Sequence, residues 1–205
     1  MRLNFNIVYW ILIVLLILSS SFFTYHVVTF KKDIQSGKKA EIPPSGTEVT
    51  LNKVMDGDEI SVTAPDGNMM VRILGIKSFD PVANEMQLAS VSRLAFDYLN
   101  STLGQEPFKI IYDEASRDSK GRILAYLEKN GRDIGLEMVS KGCSMVYTEF
   151  PFPRMDDYLL HEGVARQSKL GIWGVEAAVE RADSLRTVWN KKEQKKAALN
   201  ENMDK

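Results

Sequence analysis

The stretch Glu59-Ile-Ser-Val-Thr-Ala-Pro-Asp-Gly-Asn-Met-Met-Val-Arg-Ile-Leu-Gly-Ile76 decides the fold of this 205-residue chain. Apolar and polar residues alternate through Glu59–Thr63, and a second strand-like run begins at Met69. Between them, Pro65-Asp66-Gly67-Asn68 has the residue types that reverse a chain tightly. Two such runs joined by a tight turn predict a β-hairpin.

The residues on both sides of this hairpin predict further elements of the same domain. An alternating strand over Thr47–Val54 precedes it, and apolar residues recur at helical spacing through Val82–Leu103. Two more strands and two short helices are predicted at Phe108–Asp113, Ile123–Glu128, Ile134–Lys141 and Met155–Ser168. Five short strands with helices packed at the barrel ends predict an α+β fold, a five-stranded OB-type barrel.

Composition restricts the classes of function. The chain has 26 basic and 27 acidic residues, so its net charge is −1. Proteins that bind nucleic acid nonspecifically usually present a basic surface, because neutralising phosphates supplies their affinity. The overall charge therefore gives no support to a nucleic-acid partner. The single cysteine, Cys143, excludes an intramolecular disulfide and a cysteine-rich metal site.

An apolar segment occupies the N-terminus. From Leu3 to Phe30, His26 is the one residue with an ionisable acidic or basic side chain. About 20 apolar residues suffice to span a bilayer, so residues 1–32 predict a single transmembrane helix that anchors the chain in a membrane. A cleaved signal peptide is the competing interpretation, with Ser19-Ser20-Ser21 as the candidate cleavage site. Phe22 and the apolar residues after it favour the anchor.

Three further segments follow the anchor. Residues 33–46 contain proline, glycine and serine without an apolar period, and they predict a linker. The folded domain takes residues 47–173, and residues 174–205 predict an amphipathic helical extension. Its apolar seam includes Val175, Ala182, Leu185 and Trp189. Such a seam must be covered, either by the barrel or by a protein partner, and both possibilities stay open.

Five motifs occur in a characteristic order. They are Val54-Met-Asp-Gly-Asp58, Val71-Arg-Ile-Leu-Gly-Ile76, Lys120-Gly-Arg-Ile-Leu-Ala-Tyr126, Leu136-Glu-Met-Val-Ser-Lys-Gly142 and Glu162-Gly-Val-Ala-Arg-Gln-Ser-Lys-Leu-Gly-Ile-Trp173. Over about 125 residues the chain resembles the micrococcal nuclease family of thermonuclease-like domains. The resemblance implies an OB-fold barrel with three helices and calcium-dependent cleavage of phosphodiester bonds.

The resemblance also implies site residues. In this family two aspartates hold a calcium ion, a glutamate positions the attacking water, and two arginines bind the phosphate. Asp58 matches the first metal ligand, Arg72 and Arg122 match the two arginines, and Asp80 falls at the glutamate position. Lys77 falls at the second metal ligand. Calcium is therefore the implied cofactor only if this site still functions.

Lys77 changes the expected chemistry. Two unit charges 4 Å apart interact with about 4 kcal/mol at an effective dielectric constant near 20, so an ammonium at this position should weaken calcium binding by orders of magnitude. The sharper hypothesis is that the Lys77 ammonium takes the metal's place and pairs with Asp58 and Asp80. The alternative is a solvated loop lysine. Asp80 is also one methylene shorter than the glutamate of the family, and Lys120 replaces an expected aromatic residue.

These observations predict a membrane-anchored, nuclease-like pseudoenzyme that serves as a binding or assembly subunit of a protein complex. One alternative is a calcium-dependent endonuclease acting on DNA or RNA, and whether the chain is an enzyme stays open. Another is a module that binds single-stranded nucleic acid, which needs exposed aromatic residues and a basic groove. Members of the family that this chain resembles are often exported, which favours a soluble domain outside the cytoplasm. Lys31 and Lys32 after the span favour the cytoplasmic side instead.

Overall fold

The structure is a computed structural model that describes residues 5–36, 42–79, 86–112, 114 and 116–203. The chain forms two compact units, Met1–Glu41 and Ile42–Lys205. The first unit contains helix α1, Phe5–Ser36, on which Trp10, Leu16 and Phe23 are exposed. Within the described ranges, no helix combines the length and the apolarity that crossing a membrane requires. The transmembrane helix of the predicted fold is therefore not confirmed.

The second unit contains a barrel, three helices packed against it and a long C-terminal helix. Its strands are β1 Thr47–Asp56, β2 Glu59–Ala64, β3 Gly67–Ile73, β4 Ile76–Lys77, β5 Phe108–Ile111, β6 Ile123–Lys129, β7 Arg132–Asp133 and β8 Met145–Val146. Its helices are α2 Met86–Leu103, α3 Ile134–Ser140, α4 Met155–Gln167 and α5 Glu176–Met203, with a 3₁₀ turn at Gly171–Gly174.

Five strands close the barrel. They pair in the order β3-β2-β1-β5-β6, each pair antiparallel, and β3 then pairs in parallel with β6. The parallel register places Val71 opposite Ile123 and Ile73 opposite Ala125. The predicted α+β fold with a five-stranded, OB-like barrel is confirmed. The two-residue strands β4, β7 and β8 were not predicted, because two residues are too few to show an alternating pattern.

The barrel interior is the first of two apolar cores. Alternate residues of β2 and β3 point inward, so that Ile60, Val62, Val71 and Ile73 are buried. The second core joins α2, the 3₁₀ turn and α5, and its members include Phe79, Leu88, Trp173, Ala182 and Trp189. Part of the apolar seam of α5 is therefore covered by the same domain. The predicted protein partner of this helix stays a prediction.

Some predictions fall on residues outside the described ranges. Asp80 is one of them, and so are residues 82–85 at the predicted start of α2 and residues 37–41 of the predicted linker.

Candidate functional site

The turn between β1 and β2 buries Asp58. The backbone N–H of Gly57 donates to Asp56 Oδ1 at 2.6 Å, which holds the turn. A side chain at Gly57 would place its Cβ 2.6 Å from the Cβ of Ala95 and 2.7 Å from that of Ser78. Glycine is therefore required for this close approach, and the next residue, Asp58, has no exposed surface.

Both carboxylate oxygens of Asp58 accept hydrogen bonds from cationic side chains. Arg72 on β3 donates to Oδ1. Lys77 Nζ donates to Oδ2 at 3.1 Å, and the backbone N–H of Ser78 donates to the same oxygen at 2.9 Å. The predicted pairing of Lys77 with Asp58 is thus confirmed, while its second predicted partner, Asp80, lies outside the described residues.

The short strand β4 fixes the position of Lys77. It pairs with β8, so that Ile76 lies opposite Val146 and Lys77 opposite Met145. Directly after it, Ser78 Oγ donates to the Gly57 carbonyl at 2.7 Å and lies 2.6 Å from Ser144 Oγ. These buried contacts tie the end of β4 to the turn that contains Asp58, and they bring the Lys77 ammonium within reach of the carboxylate.

Arg122 is held by two other carboxylates. Its Nε donates to Asp118 Oδ2 at 2.6 Å, and its Nη1 donates to Glu59. Burial alone would raise the pKa of Asp118, but hydrogen bonds from the Arg122 side chain and from the Arg122 and Lys120 backbones outweigh it, and the pKa lies below its ordinary value. For Arg122, burial alone would lower the pKa, but the hydrogen bonds to Asp118 and Glu59 and the charges of these carboxylates outweigh it, and the pKa lies above its ordinary value. The guanidinium is therefore firmly paired within the protein.

One cavity at the mouth of the barrel brings Arg72, Lys77 and Arg122 together. Its volume is about 770 Å³. The lining residues within the described ranges include four basic side chains, Arg72, Lys77, Lys120 and Arg122, and four acidic ones, Asp56, Glu59, Asp118 and Glu149. The remaining lining residues are Ser119, Leu124, Tyr147, Phe150, Leu185 and Trp189. The cavity therefore has a mixed charge and one aromatic wall, and we call it the cleft.

The aromatic wall of the cleft was missed by the sequence analysis. The centre of the Tyr147 ring lies 4.9 Å from the centre of the Trp189 ring, in an edge-to-face arrangement, and 6.1 Å from the centre of the Phe150 ring. The Arg72 guanidinium lies 5.9 Å from the centre of the Tyr147 ring. Burial, followed by the hydrogen bond to Glu149, raises the pKa of Tyr147 to about 12. Tyr147 and Phe150 are three positions apart in the chain and were the available sequence signal, whereas Trp189 is 42 positions farther along than Tyr147.

The described residues do not fit a calcium ion at Asp58. Calcium takes about six to eight oxygen ligands, and the described part of the chain contains no cluster of three or more aspartate, glutamate, histidine or cysteine side chains suited to a metal. Both Asp58 oxygens already accept from Arg72, Lys77 and Ser78. A divalent cation would have to displace an ammonium and a guanidinium.

Comparison with known proteins identifies the family of the barrel domain. The family model described as Staphylococcal nuclease homologue matches residues 70–175, which is over half of the chain. The Thermonuclease of Staphylococcus intermedius is 22% identical over 140 residues, which cover 66% of this chain and 82% of that protein. Endonuclease YncB of Bacillus subtilis (strain 168) is 26% identical over 147 residues, covering 68% and 70%. An uncharacterized protein of Bacillus anthracis is 26% identical over 154 residues, covering 72% and 71%. The chain therefore belongs to the staphylococcal nuclease homologue family.

Proposed function

We propose that this protein is a nuclease-like module that has lost calcium-dependent cleavage and acts as a binding or assembly subunit of a protein complex. The observation that supports this most directly is the Lys77 ammonium, 3.1 Å from the buried Asp58 carboxylate. An ammonium at this distance neutralises the carboxylate in the way that a metal ion would. The domain then keeps the architecture of the family without needing a cation from solution.

Electrostatic repulsion is the physical reason for the loss of calcium. Two like unit charges 4 Å apart repel each other by about 4 kcal/mol at an effective dielectric constant near 20. A change of about 1.4 kcal/mol in binding free energy corresponds to a tenfold change in affinity. A divalent ion at Asp58 would meet both Lys77 and Arg72 at short range. Even if water screens most of this repulsion, calcium affinity should fall by orders of magnitude.

The arginines of the cleft are also engaged within the chain. Arg72 pairs with Asp58, and Arg122 pairs with Asp118 and Glu59. A phosphate group would have to exchange with these carboxylates. The balance of acidic and basic side chains in the cleft also provides no strong positive field to draw in a polyanion.

Two alternative functions each have an observation in their favour. Arg72 and Arg122 line one cleft, and two similar proteins are named Thermonuclease and Endonuclease YncB, which favours a calcium-dependent endonuclease. Phe150, which is exposed, and the partly buried Tyr147 line the cleft, and binding of single-stranded nucleic acid requires such aromatic residues. The acidic side chains of the cleft oppose this second alternative.

Calcium titration and a cleavage assay test the proposal. The full-length chain, purified in a mild detergent, is titrated with Ca²⁺ by calorimetry and incubated with labelled DNA. Wild type should bind no calcium and leave the DNA intact, whereas Lys77→Asp should bind calcium. Lys77→Met is the matched control, because it removes the charge without adding an oxygen ligand. Calcium binding and DNA cleavage by wild type would overturn the proposal.

The proposal includes the membrane anchor predicted for residues 1–32. It is supported by the exposed apolar side chains of α1, among them Trp10, Leu16 and Phe23. Cells that produce the full-length chain are separated into membrane and soluble fractions. Recovery of the intact chain from the soluble fraction would contradict the anchor.

A further inference from the structure

The short ladder of β4 and β8 carries Lys77. Ile76 lies opposite Val146, and Lys77 lies opposite Met145. Each strand has only two residues, and a pair of short strands is marginally stable by itself. Contacts from outside the ladder must therefore hold it in place, because Lys77 Nζ can donate to Asp58 at 3.1 Å only while β4 keeps its position.

A buried ion pair lies against the backbone of β8. The backbone N–H of Val146 donates to Glu162 Oε1 at 3.0 Å, and Arg186 Nη2 donates to the Val146 carbonyl at 3.2 Å. The same Arg186 Nη2 also donates to Glu162 Oε1 at 3.0 Å and lies 2.8 Å from Glu162 Oε2. The two side chains therefore bond both backbone polar groups of Val146, as a neighbouring strand would.

The two members of this ion pair come from different helices. Glu162 lies on α4 and its side chain is 3% exposed, whereas Arg186 lies on α5 and is 22% exposed. The match to the nuclease family ends at residue 175, and α5 begins at Glu176. The cation of the pair therefore comes from a helix that the family model does not include.

Residues around Lys77 also pack in the core that α5 completes. Met145, opposite Lys77, and Phe79, two residues after it, are buried members of the second core. Helix α5 supplies Ala182 and Trp189 to the same core. Apolar packing therefore acts in the same direction as the ion pair, because both hold the ladder while α5 is docked.

Loss of the Arg186 guanidinium would act on Lys77 through successive contacts. Glu162 would keep a buried negative charge without its cation, and the Val146 carbonyl would lose a donor. Strand β8 would then be held less firmly, and so would β4, which pairs with it. The Lys77 ammonium would spend less time on the Asp58 carboxylate.

We infer that Arg186 is a positioning residue for Lys77, and that α5 clamps the β4–β8 ladder so that the Lys77 ammonium stays on Asp58. This inference rests on the proposed function, because it concerns the contact that takes the place of calcium. The metal-free site is therefore conditional on a docked α5, and release of this helix frees the ammonium.

Chemical labelling of lysines in the full-length chain tests this role. The chain, purified in a mild detergent, receives a short pulse of acetic anhydride, and mass spectrometry gives the acetylation rate of Lys77 relative to the exposed Lys53. An ammonium held on a buried carboxylate is shielded from the reagent. Coupling between residues of one hydrogen-bond network corresponds to about 2- to 150-fold, so Arg186→Leu should raise the relative rate of Lys77 within this range.

Further variants separate positioning from a general loss of stability. Arg186→Lys keeps the cation and should restore most of the slow rate. Leu103→Ala removes a buried side chain from the first core and should leave the Lys77 rate unchanged while the chain stays folded. Arg181→Leu is the matched control, because Arg181 is an exposed arginine on the same helix. Melting temperatures confirm folding, and Arg186→Gln replaces Arg186→Leu if the latter does not fold.

Either of two results would overturn the inference: a Lys77 rate in the uncharged Arg186 variant equal to that of wild type, or an equal rise in Leu103→Ala or Arg181→Leu. Calcium titration of the same samples reports on the proposed function separately. Calcium binding with DNA cleavage by wild type would contradict that function, whereas an unchanged Lys77 rate would contradict only the role of Arg186.

Discussion

Replacing Lys77 with alanine tests the ion pair at the base of the cleft. Lys77 Nζ donates to Asp58 at 3.1 Å, and Asp58 has no exposed surface. Without the ammonium, Asp58 keeps Arg72 and the Ser78 N–H as donors. A buried carboxylate cannot turn toward water, so the lost donor should not be replaced at full strength.

Two reference values bracket the expected loss of stability. An exposed ion pair contributes about 0.2–1 kcal/mol, and breaking a buried pair costs about 3–5 kcal/mol. The Lys77 side chain is 28% exposed and Asp58 retains Arg72, so the loss should lie between these values, at about 1–2 kcal/mol. For a chain of this length each kcal/mol lowers the Tm by about 2–4 °C. The expected decrease is therefore about 2–8 °C.

The measurement is urea unfolding followed by tryptophan fluorescence, with thermal unfolding by circular dichroism alongside. Arg93→Ala is the control for an exposed pair, because Arg93 lies 3.4 Å from Asp97 with its side chain 79% exposed. Lys77→Met keeps most of the apolar stem and isolates the effect of the charge. Lys77→Asp should lower the free energy of unfolding more than Lys77→Ala or Lys77→Met, because it places a second carboxylate beside Asp58. Calcium should then restore stability by binding the folded state.

A free energy of unfolding for Lys77→Ala that equals wild type, or falls no further than that of Arg93→Ala, would refute the ion-pair reasoning. Lys77 would then be a solvated loop lysine. Equal stability of Lys77→Asp and Lys77→Met would likewise show that charge at this position does not reach Asp58.

Three other predictions concern contacts around the cleft. Asp118→Asn should lower the Tm at pH 7, because the folded state lowers the pKa of Asp118 and the ionised carboxylate therefore stabilises the fold. Protonation removes this stabilisation, so the Tm difference between wild type and Asp118→Asn should shrink as the pH falls below about 3.9. A Tm difference that stays constant down to pH 2 would contradict this. Gly57→Ala should destabilise the fold by about 1–3 kcal/mol in urea unfolding, since its Cβ would meet Ala95 at 2.6 Å, and unchanged stability would disprove that clash. Arg186→Leu leaves the buried Glu162 without its cation and should lower the free energy of unfolding by about 3–5 kcal/mol. The double variant with Glu162→Gln should recover part of this loss. Strictly additive effects of the two substitutions on stability would argue against the ion pair.

The sequence predicted the barrel strands closely. Strand β2 was predicted at Glu59–Thr63 and lies at Glu59–Ala64, and the strand predicted at Ile123–Glu128 is β6, Ile123–Lys129. Strand β2 alternates because one of its faces lies on the apolar core, whereas β6 is a mostly apolar run in which Ala125, Tyr126 and Leu127 are all buried. Both patterns are visible in the chain itself. The short strands β4 and β8 could not be predicted, since their pairing depends on residues about 70 positions apart.

The candidate site divides in the same way. The motifs predicted that Asp58, Arg72 and Arg122 belong to one site, and the structure brings Arg72 and Arg122 into one cleft with Asp58 paired to Arg72 beneath it. Glu59 was not singled out, although it pairs with Arg122, because that contact joins residues 63 positions apart. The roles assigned to these residues in catalysis or metal binding stay predictions.

By itself the sequence determined the alternating strands, the helical periods and the motifs of the staphylococcal nuclease homologue family, all of which depend on residues near one another in the chain. Only the tertiary structure decided that Lys77 reaches the buried Asp58, that two carboxylates hold Arg122, and that α5 places Trp189 in the cleft. The physical reason is that an ion pair or a cleft wall depends on distances in space. Closing the barrel and packing α5 on the second core set those distances, and no local pattern specifies them.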